Sequence, residues 1–242
     1  MNQDYTELAQ SLSNLLSLQS PPLAITFSDT PLADVPAFDD PMPEPTADGR
    51  TGRVPAGCVF WIKAEERTFT TSAADHGNCS VGSVTHGFRT LDEVANKSDI
   101  ACLVEAGWVS PEVFPSIPVV KGPVRYVSYG PLHAATHEPD VVFLRLNAKQ
   151  AMTLSDAIPE LSYNGKPQCH IIAIAKEQQQ VALSVGCMLS RVRTGMSNTE
   201  MTGAIPAKRL AEVVERLRAA SNANKQVSAY ASEDKRRFAM PI

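Results

Sequence analysis

Leu8, Leu12, Leu15 and Leu16 recur at helical spacing, which predicts an amphipathic helix over 4–18. Pro21-Pro22 stops it, and Leu23-Ala24-Ile25-Thr26-Phe27 reads as a short strand. Two later apolar runs each open on a cysteine: Cys58-Val59-Phe60-Trp61-Ile62-Lys63-Ala64 and Cys169-His170-Ile171-Ile172-Ala173-Ile174-Ala175. Their β-branched and aromatic content predicts strands. A charged or polar turn follows each run, and then a second strand, at 68–71 and at 181–185, so that two hairpins are expected. The small residues and glycines of 74–82 suit a tight, exposed turn. Strands are also predicted at 124–129 and 140–146, and helices at 91–106, 148–157 and 206–220. In the last of these Pro206 sits in the first turn, and Leu210, Val213, Val214 and Leu217 share one face. From 221 onward the chain is polar and is expected to be loosely held.

The two halves repeat one order: a proline-led strand, an intervening segment, a cysteine opening a hairpin and a second cysteine closing it. Gly87 lies eight residues after Cys79 and Gly195 eight after Cys187, and Ile117-Pro118 matches Ile205-Pro206. These coincidences in order predict an internal duplication. The expected fold is therefore α+β, with two diverged copies of a strand, helix and hairpin unit about a pseudo-twofold axis. A mixed or antiparallel sheet with flanking helices follows. Residues 1–20 form the N-terminal helix, 21–122 the first copy with an acidic, proline-rich loop at 30–57, 123–220 the second copy, and 221–242 the tail. The loop could screen a site entrance or bind a cation, although a solvated surface loop accounts for it more simply.

Composition narrows the function classes. A hydrophobic share of 43% and a charged share of 20% are those of a folded globular chain. A net charge of −4 with scattered Lys and Arg gives no basic footprint, so nucleic acid is not expected as a partner. Met1-Asn2-Gln3-Asp4-Tyr5 does not open like a signal peptide, and no apolar run is long enough to span a bilayer, which predicts a cytoplasmic protein without a membrane partner. Five cysteines without such a signal point to reduced thiols, and with no Cys-x-x-Cys pair any metal site must be assembled from distant segments.

Symmetry about the repeat axis would bring Cys58, Cys79, Cys169 and Cys187 together. Four thiolates hold an iron–sulfur cluster, or zinc as the alternative, and Gly77 and Gly186 would let backbone N–H groups approach the sulfurs. Arg191 and Arg193, two apart on an extended segment, would hold a small anionic ligand nearby. The expected role is redox or small-anion handling, with a redox partner or a second copy of the chain as the expected macromolecular partner. Two other classes stay open: a metal-free small-molecule-binding module whose cysteines are structural, and a thiol enzyme in which Cys79 is the nucleophile and His76 its base. Whether a reaction is catalysed is left open. Cys102 reads as a packing residue, Phe60, Trp61 and Tyr126 as core, His86, His133 and His137 as surface residues, and His170 as pointing away from Cys169.

The chain resembles the domain of unknown function 169 family. The likeness rests on Pro22-Leu23-Ala24-Ile25, Cys58 with Ala64, Cys79-Ser80-Val81-Gly82, Pro139-Asp140-Val141-Val142 with Gln150-Ala151-Met152, Ser184-Val185-Gly186-Cys187 with Arg191, and Glu200-Met201 with Ile205-Pro206. It departs at Val81 and Leu189, where the family pattern commonly has glycine. The resemblance implies that Cys58, Cys79 and Cys187 matter and supplies no activity.

Overall fold

The computed structural model describes residues 5–40 and 57–238. In chain order the helices and strands are α1 (Tyr5–Leu16), β1 (Leu23–Ser28), α2 (Val59–Lys63), β2 (Phe69–Ser72), α3 (Ser80–Thr85), α4 (Leu91–Val94), α5 (Ser98–Glu105) and β3 (Tyr126–Pro131). There follow β4 (Val141–Asn147), α6 (Ala148–Ala157), β5 (Ser162–Tyr163), α7 (His170–Gln178), β6 (Ala182–Ser184), α8 (Met188–Thr194), β7 (Glu200–Pro206) and α9 (Leu210–Phe238). The strands form one mixed sheet in the order β2-β3-β1-β4-β7-β6-β5, flanked by helices, which is the α+β architecture expected.

Alternation along the central strands sends side chains to two cores. Ala24, Val142, Leu144 and Leu146 pack under α1, α6 and α9, while Leu23, Ile25, Val141 and Phe143 pack under α2 and α7. The helices on the first face are amphipathic. The face that carries α2 and α7 is covered by helices apolar on nearly every side, since the sheet lies below them and further chain above.

That burial explains the two misread hairpins. Residues 58–64 and 169–175 are not strands but helices with their preceding turns, because short apolar runs carry no period that separates strand from buried helix. Residues 74–82 are no exposed turn either: a 3-10 turn over Ala73–His76 leads into α3, and Asp75, His76 and Ser80 are buried. The helix expected over 91–106 is two, α4 and α5. Pro206, expected in the first turn of a helix, instead ends the strand Glu200–Pro206, and α9 starts at Leu210 and continues through the polar stretch from 221 to Phe238. Ala, Lys, Gln, Glu and Arg keep that exposed stretch helical once Leu210, Val213, Val214 and Leu217 have anchored its first turns. Residues 41–56, most of the acidic loop and with it the suggested entrance screen or cation site, lie outside the described residues.

The halves run in the same order around the antiparallel β1·β4 pair. β1 pairs with β3 and β3 with β2 on one side, β4 with β7 and β7 with β6 on the other. Cys58 and Cys169 have nearly equal helical backbone angles (φ −65 and −68), and Cys79 and Cys187 nearly equal extended ones (φ −140 and −139). Gly87 and Gly195, with φ of 78 and 68, both lie at the end of the helix that the second cysteine opens. Pro131 and Pro206 pair with the first residues of β1 and β4, and a 3-10 turn follows each, whereas Pro118 lies in no strand. Since β3 belongs with β1 and β2, a division between 122 and 123 would cut the first three-stranded set.

Gly87 has a further constraint, because a Cβ there would sit 2.6 Å from the Val120 carbonyl oxygen. Gly87→Ala combines that overlap with a left-handed backbone and is expected to cost roughly 3 kcal/mol. Urea unfolding of the variant measures it, and a loss within experimental error would show that residues 120–122 yield freely.

Candidate functional site

The four repeated cysteines are the N-cap residues of α2, α3, α7 and α8, and the turns that carry them meet over the α2/α7 face of the sheet. All four line one small cavity of about 40 Å³, together with Trp61, His86, Gln168 and Arg193. Cys102 is exposed on α5, so it is neither a packing residue nor part of this cavity.

The backbone N–H and hydroxyl of Ser80 donate to Asp99 at 2.9 and 2.7 Å, and the Ser83 hydroxyl donates to the His76 carbonyl at 2.6 Å, pinning the start of α3. The Gly82 N–H then donates to Cys79 Sγ at 3.4 Å. A Cβ on Gly82 would stand 3.3 Å from that sulfur. The expected approach through Gly186 is not made, because its N–H is spent on Ser184 Oγ at 3.1 Å. Gln168 Nε2 donates to Ser190 Oγ at 2.8 Å, tying the start of α7 to α8. Contacts also cross between halves: Ser190 hydrogen-bonds Cys58, Cys169 Sγ lies 3.8 Å from Thr85 Oγ1, and Arg193 donates to the Asn78 carbonyl at 3.1 Å.

Burial pushes the Cys58 thiol up to about 11, with repulsion from Cys187 adding to it and the Ser190 hydrogen bond and Arg193 opposing it. Burial and the neighbouring Cys58 push Cys79 up to about 12 against the Gly82 hydrogen bond, and burial holds Cys169 well above the ordinary thiol range. These three are therefore neutral thiols at pH 7 when no cation faces them. The four are close enough for each to feel the others' charge. Among the described residues, however, no three His, Cys, Asp or Glu side chains are grouped to hold a single metal ion.

The polar atoms around the cavity are incompletely paired. Trp61 Nε1, His86 Nε2 and Gln168 Oε1 are buried without a hydrogen-bond partner. His86 was expected at the surface, yet it is 2% exposed and its Nδ1 lies 2.7 Å from the Gly82 carbonyl. Nδ1 must then carry the proton, which leaves the Nε2 lone pair bare, the tautomer of a metal-ligating histidine. Its only sequence signal is its place at the end of the helix that Cys79 opens.

The other expected residues separate. His76 Nε2 pairs with Thr71 Oγ1 at 3.0 Å, and its ring packs against Phe60, Phe88 and His86, whereas Cys79 Sγ is engaged by Gly82. A Cys79–His76 dyad is not formed, and burial holds the imidazole well below its ordinary range. Arg191 and Arg193 lie on a helix instead of an extended segment, so they do not share a side. Arg191 is consumed as a strut, donating to the carbonyls of Val185, Ser197 and Glu200, and only Arg193 reaches the cavity.

Sheet and site together define an α+β protein with a thiol-lined centre built by four helix-capping cysteines. The chain belongs to the DUF169 family, described as uncharacterised ArCR, which matches residues 11–216. No curated protein and no solved structure matches it. Among the described residues no helix is long and apolar enough to cross a membrane.

Proposed function

We propose that Cys58, Cys79, Cys169 and Cys187 hold an iron–sulfur cluster and that the protein carries electrons, in a fold that arose by duplication of one two-cysteine unit. The observation that carries this reading is the convergence of four N-cap cysteines, two from each half, on one cavity. Four cysteine thiolates are the usual ligand set of such clusters. The ligand sulfurs of a cluster stand farther apart than those of one ion, because iron and sulfide lie between them. Zinc is the alternative that the same four thiols would hold.

The unpaired Trp61 Nε1–H gives the cavity a donor for sulfur, and the Gly82 N–H already supplies one to Cys79. Such hydrogen bonds raise the potential of a cluster by stabilising the added electron. When bound, the cluster supplies a one-electron couple; the electron comes from and leaves to a redox partner. Cys187 is partly exposed and Met188 and Val192 beside it are 58% and 80% exposed, so a partner would approach over α8. A small-anion-handling role has less support, since Arg193 alone of the two arginines faces the cavity.

Protein purified without oxygen is expected to be coloured and to contain iron and acid-labile sulfide, with an absorption that bleaches on reduction by dithionite. Colourless protein that neither carries nor takes up iron and sulfide on anaerobic reconstitution would overturn the proposal and leave a metal-free binding module.

A further inference from the structure

The first half contains a segment, residues 88–125, that has only 196–199 opposite it in the second. That segment carries α4, α5 and a 3-10 turn over Pro111–Ser116, and with α3 these enclose an apolar pocket of about 320 Å³. The volume is at the lower end of what small-molecule sites have. Its lining is largely apolar, with Val84, Val94, Ile100 and Phe114 among it, so water in it would find few partners. Val81, Leu103, Trp108 and Pro167 line both this pocket and the cysteine cavity, which places the two back to back.

Besides the exposed Asp92 of α4, its charged and titratable groups are Lys166 and His170. Lys166 Nζ lies 3.9 Å from the centre of the Trp108 ring and donates to the Trp108 carbonyl at 3.0 Å, which leaves further N–H donors free. His170 follows Cys169 at the start of α7 and lines the pocket, 8% exposed. Its Nδ1 lies 3.2 Å from Asn164 Oδ1, an acceptor, so Nδ1 carries the proton. Nε2 is then an acceptor, and it is buried without a partner.

We infer that this pocket binds a small apolar molecule bearing a hydroxyl group, whose O–H donates to His170 Nε2 while its oxygen accepts from Lys166 Nζ. A hydroxyl meets both needs, whereas a carboxylate would set its lone pairs against that of Nε2, and a bare hydrocarbon would leave Nε2 unpaired. That such a ligand is a reactant rests on the proposed cluster; the binding itself does not.

Calorimetric titration of the purified protein with beta-naphthol, naphthalene and beta-naphthoate tests the assignment. Beta-naphthol is expected to bind about ten-fold more tightly than either comparator. His170→Phe and Lys166→Met should each bring naphthol within about two-fold of naphthalene. Lys166 is exposed, so its variant tests the assignment even where the buried histidine cannot be replaced. Cys79→Ala should bind naphthol unchanged, which separates the pocket from the cluster. No saturable naphthol binding, tighter naphthoate binding, or a naphthol preference that survives both substitutions would overturn the inference.

Discussion

Alanine at any one of Cys58, Cys79, Cys169 or Cys187 is expected to lower bound iron, acid-labile sulfide and visible absorption by about ten-fold or more, and alanine at Cys102 to change none of them. Each of the four supplies one of the thiols around the cavity, and Cys102 stands outside it. The contrast decides between the cluster and a packing role. A buried cysteine that only packs costs about 1 kcal/mol when truncated and leaves the spectrum alone. Thiol ionisation gives the same centre a pH dependence of known sign. Cys58 at about 11 and Cys79 at about 12 enter the apo-protein protonated, so loading iron releases their protons and must become more favourable as pH rises from 6 to 9. Reconstitution at graded pH checks this; uptake that weakened over that interval would show that these thiols are not the ligands.

Unfolding by urea should become markedly easier as pH falls from about 6.5 to 4, through histidines buried in neutral form. Burial pushes His86 down to about 4 against the hydrogen bond it donates to the Gly82 carbonyl, and burial alone pushes His170 to about 4. His76 is lowered further in direction by burial and by the neighbouring His86. A folded-state value below the unfolded one means that the unfolded chain takes up protons first. The stability these residues contribute is therefore full above about 6.5 and lost as pH falls toward 4. A fall from 6.5 to about 4 corresponds to roughly 3 kcal/mol for each of His86 and His170. Urea midpoints from pH 7 to 4 measure the total. His86→Gln, which retains a donor for Gly82, should flatten the slope by about one proton, and a wild-type midpoint constant over this range would refute the assignment.

Much of this protein could be read from its residues in order. The leucines of α1, the helix α6 and the apolar face of α9 show a helical period with one buried side against one core, and β1 and β4, which face a core on either side, read as short apolar runs bounded by turn signals. The cysteine pairs and the glycines eight residues after Cys79 and Cys187 also stood out, since spacing along the chain survives whatever the turns do. By itself, then, the sequence determined the fold class and the family, and it singled out the four cysteines that line one cavity.

Tertiary structure decided what those thiols sit on and who stands beside them. Residues 58–64 and 169–175 are helical because sheet lies beneath them and chain above. With every side apolar, no pattern distinguished helix from strand until both neighbours were in place. The Cys79–His76 pairing failed for a related reason: a turn of a few residues points a side chain wherever its hydrogen bonds lead, and here they lead His76 to Thr71. His86, Gln168 and His170 lay beyond local reading because each acquires its role from an unpaired atom in a buried cavity. Whether an atom is left unpaired depends on groups far apart in the chain.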